Sequence, residues 1–407
     1  MRCGLLGRKL GHSYSPQIHQ ELGDYEYELF EIEPDQLKDF LEKADFRGIN
    51  VTIPYKKDVI PYCSQLSPIA EKLGAVNTII RSENGSLIGH NTDYFGFQST
   101  LDRTGISVSG KKVLLLGSGG AAVTVNAVLK ERGAIVIPVS RNGFHNYENI
   151  YIHSDASLLV NATPVGMYPD NGTSLVDLSL FPHLQGVIDL IYNPARTQLL
   201  LDAERRGLIA QNGLWMLVSQ AVESAQWFTG KEISPHFISQ VHNKLQKKMQ
   251  NIVLIGMPGS GKSTIGQMLA KALNKPYIDT DTEIENISAM SIPEIFAKHG
   301  EHKFREIETK VLNEVGKRSG MIISTGGGCV TRACNYPLLH QNGIIICLER
   351  RIDALSTEGR PLSRNNDLAE MYIARKPLYD EFADQTVSNN GTVEQTLATI
   401  LSMEEIL

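Results

Sequence analysis

Apolar residues along this chain come in short runs that stop at glycine and then resume at helical spacing, the pattern of buried strands that each hand over to a helix. One such stretch, residues 111–132, reads KKVLLLGSGGAAVTVNAVLKER; another, residues 252–279, reads IVLIGMPGSGKSTIGQMLAKALNKPYID. In each, the apolar run predicts a buried strand, the glycines predict a tight turn, and the residues beyond predict a helix. Further strands are expected over Ala134-Ile135-Val136-Ile137-Pro138-Val139, over Met321-Ile322-Ile323-Ser324, and over Gly48-Ile49-Asn50-Val51-Thr52-Ile53, which runs into Pro54 and leaves Lys56 at its C-terminal end. Helices are expected after Pro16, around Phe304-Arg305-Glu306, and behind Ser234-Pro235, where Phe237, Ile238, Val241 and Leu245 recur at helical spacing. The fold class this predicts is α/β, with helices on both faces of parallel sheets.

The two glycine turns carry chemistry. In Gly256-Met257-Pro258-Gly259-Ser260-Gly261-Lys262-Ser263, the glycines remove the Cβ atoms that would stop successive N–H groups and a helix N-terminus from facing one set of phosphate oxygens. Lys262 would reach the β- and γ-phosphates and Ser263 would ligate Mg²⁺, so this part should bind ATP. The GSGGAA turn is a weaker signal on its own, strengthened by the strand before it and by the next strand ending at Ser140-Arg141. An acidic residue there would accept from a ribose 2′-hydroxyl; Arg141 would pair with a 2′-phosphate, which favours NADP over NAD. A solvated surface arginine is the other reading of that position.

At 407 residues the chain exceeds one ordinary domain, and the phosphate turn near 256 leaves about 250 residues ahead of it. Hydrophobic residues at 42 % and charged residues at 21 % are ordinary for a globular protein. No run approaches the roughly 18 apolar residues needed to span a bilayer, and no basic-then-apolar export signal opens the chain, so no membrane is expected and the cytoplasm is. Five scattered cysteines suit reduced thiols, and a net charge of −6 argues against nucleic acid as the main partner.

Residues 1–95 hold four polar clusters: Gly11-His12-Ser13-Tyr14-Ser15-Pro16, the strand ending at Lys56, Gly74-Ala75-Val76-Asn77-Thr78-Ile79, and His90-Asn91-Thr92-Asp93. Singly, each fits a turn or a surface position. Together, GxxxxHSxSP, NVTIPYK, GAVNT and NTDxxGF, followed by GxGGAA, NATPVGM and a late GLxMLVxQA, resemble shikimate dehydrogenase from about residue 6 to 231. The resemblance implies a substrate lobe over 1–95, rejoined by 213–246, and a Rossmann lobe over 96–212, with the cleft between them. It implies that Ser13 and Ser15 hold the substrate carboxylate, that Thr52, Asn77, Asp93 and Gln220 read ring hydroxyls with Tyr192 beside them, and that Lys56 and Asp93 are the catalytic pair. NADP is implied to contact Gly117, Ser118, Gly119, Gly120, Ala121, Ser140, Arg141, Thr163, Gly213 and Met216. Val123 stands where that family usually has a basic residue, and the stretch after Arg141 is shorter than usual.

After a short linker at 247–250, the ordered set of phosphate turn, Asp279-Thr280-Asp281, Phe304-Arg305-Glu306, Thr325-Gly326-Gly327-Gly328, Arg360-Pro361-Leu362 and Arg375-Lys376-Pro377 resembles shikimate kinase over 251–407. That resemblance implies ATP contacts from Gly259, Ser260, Gly261, Lys262, Ser263, Thr264 and Arg360, and Mg²⁺ held by Ser263 and Asp279. Asp281 becomes the base at the acceptor hydroxyl, Arg305 and Arg375 bind the shikimate carboxylate with Gly327 and Gly328, and Arg360 arrives on a lid. A bifunctional enzyme turning 3-dehydroshikimate into shikimate and then its 3-phosphate is expected; its oligomeric state stays open. Two other readings remain: an NAD-dependent quinate/shikimate dehydrogenase fused to a kinase, which Arg141 opposes, and a ligand-sensing regulator, which the presence of every catalytic group opposes.

Overall fold

Three sheets hold the strands of the computed structural model, which describes every residue except 12, 356–367, 405 and 407. The first sheet contains β1 (Arg2–Gly7), β2 (Glu26–Glu31), β3 (Gly48–Val51), β4 (Gln65–Leu66), β5 (Thr78–Arg81) and β6 (Leu87–His90), in the order β2-β1-β3-β5-β6-β4. It is mixed: β1 runs parallel to β2 and β3, while β5 is antiparallel to both β3 and β6. The antiparallel turnaround brings Asn77 and His90, at the ends of neighbouring strands, to the edge where β3 also stops. The helix Leu214–Thr229, far along the chain, packs back on this sheet, and Gly48 leaves room for it: a Cβ there would lie 2.1 Å from the Phe228 ring.

The second sheet, β7 (Lys112–Leu116), β8 (Ile135–Val139), β9 (Leu158–Asn161), β10 (Gly186–Asp189) and β11 (Ile209–Gln211), is wholly parallel in the order β11-β10-β9-β7-β8. Its central strands β9 and β10 are buried at every residue, as continuous apolar runs covered on both faces should be. The third sheet, β12 (Asn251–Ile255), β13 (Tyr277–Asp279), β14 (Ile322–Ser324), β15 (Gly343–Glu349) and β16 (Gln385–Ser388), is also wholly parallel, in the order β13-β14-β12-β15-β16. Parallel sheets bind ligands beyond the C-terminal ends of their strands, which is where both glycine turns lie.

By backbone packing the chain divides into two units. One comprises Met1–Val165, Ser174–Tyr192 and Asp202–Leu245; the other comprises Gly166–Thr173, Asn193–Leu201 and Gln246–Leu407. The helix His236–Met249 buries Ile238, Val241, Leu245 and Met249, whereas Phe237 is 42 % exposed, so the inward stripe begins one residue later than the sequence suggested. That helix continues to Met249, so most of the residues expected as a linker at 247–250 are helical. Among the described residues no helix is long and apolar enough to cross a membrane.

A buried imidazole, His19, and a partly buried one, His90, give the first unit a pH dependence. His19 has no exposure, stacks on Tyr27 at 3.9 Å and sits 2.7 Å from the Tyr25 hydroxyl; burial pushes its pKa down to about 3. Burial likewise pushes His90 down to about 4, with Ser67 Oγ 2.6 Å from its Nδ1. Unfolded histidines, at about 6.5, take protons that these two refuse. Their stabilising contribution is therefore complete above about pH 6.5 and is lost as the pH falls toward 4 and then 3. Denaturation midpoints measured at neutral and mildly acid pH should fall with acidification, and should fall less in His90→Gln; the same slope in that variant would clear His90 of the effect.

Candidate active sites

The segment after strand β3 and the helix Asp93–Thr104 bring the first predicted pair together. Lys56 follows the cis Ile53–Pro54 bond just beyond β3, and Asp93 is the first residue of its helix. Lys56 Nζ lies 2.5 Å from Asp93 Oδ2, with the two side chains 27 % and 17 % exposed, so the ion pair is partly shielded from solvent without being sealed off. Beside it, Asn77 is held in one orientation: its Oδ1 accepts from the Thr92 backbone N–H at 2.7 Å and its Nδ2 donates to Thr92 Oγ1 at 3.1 Å. Thr92 Oγ1 in turn reaches Gln220 Oε1 at 3.3 Å, and Gln220 comes from the late helix Leu214–Thr229.

Behind these groups runs a buried polar cluster. Asn50 Nδ2 donates to Ser224 Oγ at 2.7 Å and to Thr78 Oγ1 at 3.1 Å, while its Oδ1 accepts from the Tyr27 hydroxyl at 2.8 Å. Ser224, Thr78 and Thr92 have no exposure, and satisfied bonds of this kind fix a pocket wall in one arrangement. Ser15 opens the helix Ser15–Leu22 and its N–H donates to Ser13 Oγ at 3.2 Å; Tyr14 between them meets Tyr192 edge-on at 6.1 Å. Thr52 is placed by its backbone N–H, which donates to Leu6 O at 2.9 Å.

The nucleotide turn after β7 is open. Gly117 has φ 109°, and a Cβ on it would sit 3.0 Å from both Ala162 O and Thr163 Cγ2. Ser118, Gly119 and Gly120 are exposed ahead of the helix Gly120–Glu131, whose first turn carries no acidic residue, so the amides there suit an anion. Ala121 is half-buried and Val123 46 % exposed. Ser140 and an exposed Arg141 follow β8 directly. Gly213 precedes the helix that carries buried Met216, and only glycine fits, because a Cβ would lie 1.9 Å from Leu190 O. An exposed helix N-terminus with an arginine at the next strand end is a fit for a dinucleotide carrying a 2′-phosphate.

The second turn, after β12, is more enclosed. Gly259 and Gly261 have φ 83° and 94°, and Gly261 caps the helix Lys262–Leu273. Lys262, 8 % exposed, curls over the turn to donate to the carbonyls of Gly256 (2.9 Å) and Met257 (3.0 Å). Ser260 Oγ is fully buried and, among the described residues, has no hydrogen-bond partner, which leaves it available to a ligand oxygen. Ser263 and Thr264 are exposed in the first helical turn. Ser263 Oγ donates to Asp279 Oδ2 at 2.8 Å, and Asp279 Oδ1 caps the helix Thr280–Ser288 by accepting from the Asp281 N–H at 3.1 Å. One hydroxyl and one carboxylate beside a phosphate cradle suit Mg²⁺, which takes few protein ligands and keeps waters and phosphates. Among the described residues no group of three His, Cys, Asp or Glu gathers as a metal cage.

Around Asp281 the acceptor side is tightly packed. A Cβ on Gly326 would meet Asp281 Oδ1 at 2.6 Å and Glu308 Oε1 at 3.1 Å, and one on Gly328 would meet the Arg305 guanidinium at 2.1 Å. Arg305 pairs with Glu308 at 2.8 Å and Glu301 at 3.2 Å, and Arg375 donates to Gly327 O at 3.1 Å. Burial pushes the Glu308 carboxyl above its usual range, opposed by Arg305 and reinforced by Asp281. Arg360 lies outside the described residues, as does His12. Sequence reasoning passed over Glu308, although its spacing from Arg305 puts both on one helix face. It also passed over Asn389, whose Nδ2 donates to Ser260 O at 2.7 Å from far along the chain, and over Ser224 and Thr92 as the links of the first site.

The fold carries a partly shielded lysine–carboxylate pair and an open glycine turn in its first unit and a P-loop in its second, the layout of a two-part enzyme. The family model for the shikimate dehydrogenase substrate binding domain matches residues 5–79, and that for shikimate kinase matches residues 258–404. A shikimate dehydrogenase (NADP(+)) of Caldicellulosiruptor bescii is 34 % identical over 275 residues, covering 60 % of this chain and 94 % of the relative. A crystal structure of a chorismate mutase/shikimate 5-dehydrogenase fusion from Clostridium acetobutylicum is 36 % identical with a TM-score of 0.58, covering 61 % of this chain and 97 % of that one. The Thermus thermophilus shikimate 5-dehydrogenase, solved with NADP(H) and shikimate, is 32 % identical with a TM-score of 0.55, covering 60 % of this chain and 99 % of that one. The chain belongs to the shikimate dehydrogenase family and carries a shikimate kinase domain after it, a fusion of two shikimate-pathway enzymes.

Glu308 offers a direct test of the kinase side. Glu308→Ala leaves a guanidinium that is 9 % exposed without its 2.8 Å partner, which should lower the stability of the second unit by about 3 kcal/mol. Kinase KM for the acceptor should rise at least about tenfold while dehydrogenase kinetics stay unchanged. Denaturation curves and steady-state rates for both reactions check this, and an unaltered acceptor KM would show that Glu308 does not set Arg305.

Proposed function

We propose that this chain reduces 3-dehydroshikimate to shikimate with NADPH and then transfers the γ-phosphoryl group of ATP, with Mg²⁺, to the hydroxyl so formed. The observation that carries the first half is the 2.5 Å contact between Lys56 and Asp93 beside the Asn77–Thr92–Gln220 chain. NADPH, when bound, supplies the hydride. Reduction of a ketone puts negative charge on oxygen, and the Lys56 ammonium stabilises it and offers the proton that completes the alcohol. Asp93 holds Lys56 in place and accepts from a neighbouring ring hydroxyl. Thr52, Asn77 and Gln220 discriminate the other hydroxyls, with Ser13, Ser15 and Tyr192 at the carboxylate end. The five free cysteines fit a reducing cytoplasm.

On the kinase side, Lys262, the amides of Gly259 to Ser263 and Thr264 grip the phosphates, and Ser263 with Asp279 would hold Mg²⁺. Asp281 takes the proton of the acceptor hydroxyl, and Arg305 and Arg375, with the amides of Gly327 and Gly328, fix the carboxylate end of the acceptor. The shared intermediate supports the pairing of the two activities: the product of one half is the acceptor of the other.

A single reaction containing 3-dehydroshikimate, NADPH, ATP and Mg²⁺, with NADPH, shikimate and shikimate 3-phosphate followed together, tests the whole reading. Shikimate should rise first and its phosphate second; no NADPH loss, or no phosphate, would refute the corresponding half. Lys56→Ala should lower dehydrogenase kcat by about 10²- to 10⁴-fold with substrate still bound and the kinase intact. Near-normal turnover would remove Lys56 from the chemistry. Arg141→Ala should shrink the NADPH-over-NADH preference by about ten- to a hundred-fold, the worth of one charge-assisted bond, as read from the two kcat/KM values.

A further inference from the structure

We infer that Asp189 is a positioning residue for the nicotinamide half of the dinucleotide, acting through Asn161 and Thr163; this rests on the reading that NADP lies along the Gly117 turn. Asp189 ends β10 and Asn161 ends β9, and the two stand opposite each other in the parallel ladder. Asp189 has no exposure and Asn161 is 2 % exposed, so both are committed to protein partners. Asp189 Oδ1 accepts from Asn161 Nδ2 at 3.0 Å and from the Ile191 N–H at 3.1 Å.

Because Asp189 Oδ1 is the acceptor of that bond, the side chain of Asn161 turns its NH₂ toward Asp189 and its carbonyl the other way. That carbonyl takes both the backbone N–H of Thr163, at 3.0 Å, and its hydroxyl, at 2.7 Å. The Thr163 hydroxyl has thereby spent its only proton. Toward a ligand it is an acceptor, already weakly used by the Val165 N–H at 3.3 Å and with capacity for one donor more. Its methyl group sits 3.0 Å from where a Gly117 Cβ would be, so the acceptor is held against the phosphate turn. The chemistry recognised at that point is an N–H or O–H donor, such as a primary carboxamide or a ribose hydroxyl. A reversed Asn161 would set its NH₂ against the Thr163 N–H and its carbonyl against Asp189 Oδ1, so Asp189 works with that N–H to hold the polarity in place.

The test uses the full chain and titration calorimetry with NADP⁺ and with shikimate, each alone. Asp189→Ala should weaken NADP⁺ about tenfold, the worth of roughly one hydrogen bond, while leaving shikimate binding and the kinase rate unchanged. Asp189→Asn, whose carbonyl still accepts from Asn161, should stay within about threefold of the parent. Equal losses in both variants, or parallel losses of NADP⁺ and shikimate, would show that Asp189 only supports the core and would overturn the inference. If Asp189→Ala fails to fold, the other end of the relay decides: Thr163→Val should lose about tenfold in NADP⁺ affinity and Thr163→Ser should not. Undiminished binding by Thr163→Val overturns the inference equally. A parent protein with no affinity for NADP⁺ would instead refute the cofactor reading beneath it.

Discussion

A parallel strand that stops at a glycine leaves the first amides of the next helix without partners, and both candidate nucleotide turns of this chain are built on that deficit. After β7 the deficit faces solvent: Ser118, Gly119 and Gly120 are exposed, as a long dinucleotide lying across a sheet edge requires. After β12 it is walled in, with Ser260 fully buried and Asn389 fastening the turn from behind, as a triphosphate gripped end-on requires. One backbone device thus occurs twice, and the difference between the two lies in how deeply it is set.

The second constraint is that polar groups removed from water must be satisfied by one another. In the first unit this yields linked amides and hydroxyls, Tyr27 to Asn50 to Ser224 and Asn77 to Thr92 to Gln220, that hold one another in place. In the second it yields a carboxylate–guanidinium pair, Glu308 with Arg305, in nearly complete burial. Neither arrangement is strongly stabilising against an apolar core of the same volume. What they contribute is orientation: each sets a candidate site carboxylate, Asp93 or Asp281, beside a hydrogen-bonded wall.

Much of this was legible in the sequence because its signals are local. The runs KKVLLLGSGG and IVLIGMPGSGK announce strand, turn and helix within a dozen residues, and the parallel sheets follow from their repetition. The pairing of Lys56 with Asp93 was legible only through resemblance to a family, since 37 residues separate them and neither one's local sequence names the other. The buried links were not legible at all. Asn50 to Ser224 spans 174 residues, and a serine inside an apolar helix carries no mark that its hydroxyl will close a network. The helix His236–Met249 shows the same limit at small scale: spacing gave the helix, but packing decided that Phe237 faces out.

That span of 174 residues also bears on how the protein is made. Leaving a ribosome at roughly 5–20 residues per second, the chain presents Lys56 and Asp93 several seconds or more before the helix that carries Gln220 and Ser224 appears. Until then the first sheet lacks one wall, with Gly48 and Asn50 uncovered. The whole parallel sheet from β7 to β11 emerges in that interval, so the lobe that is begun first is completed only after the second sheet has been made.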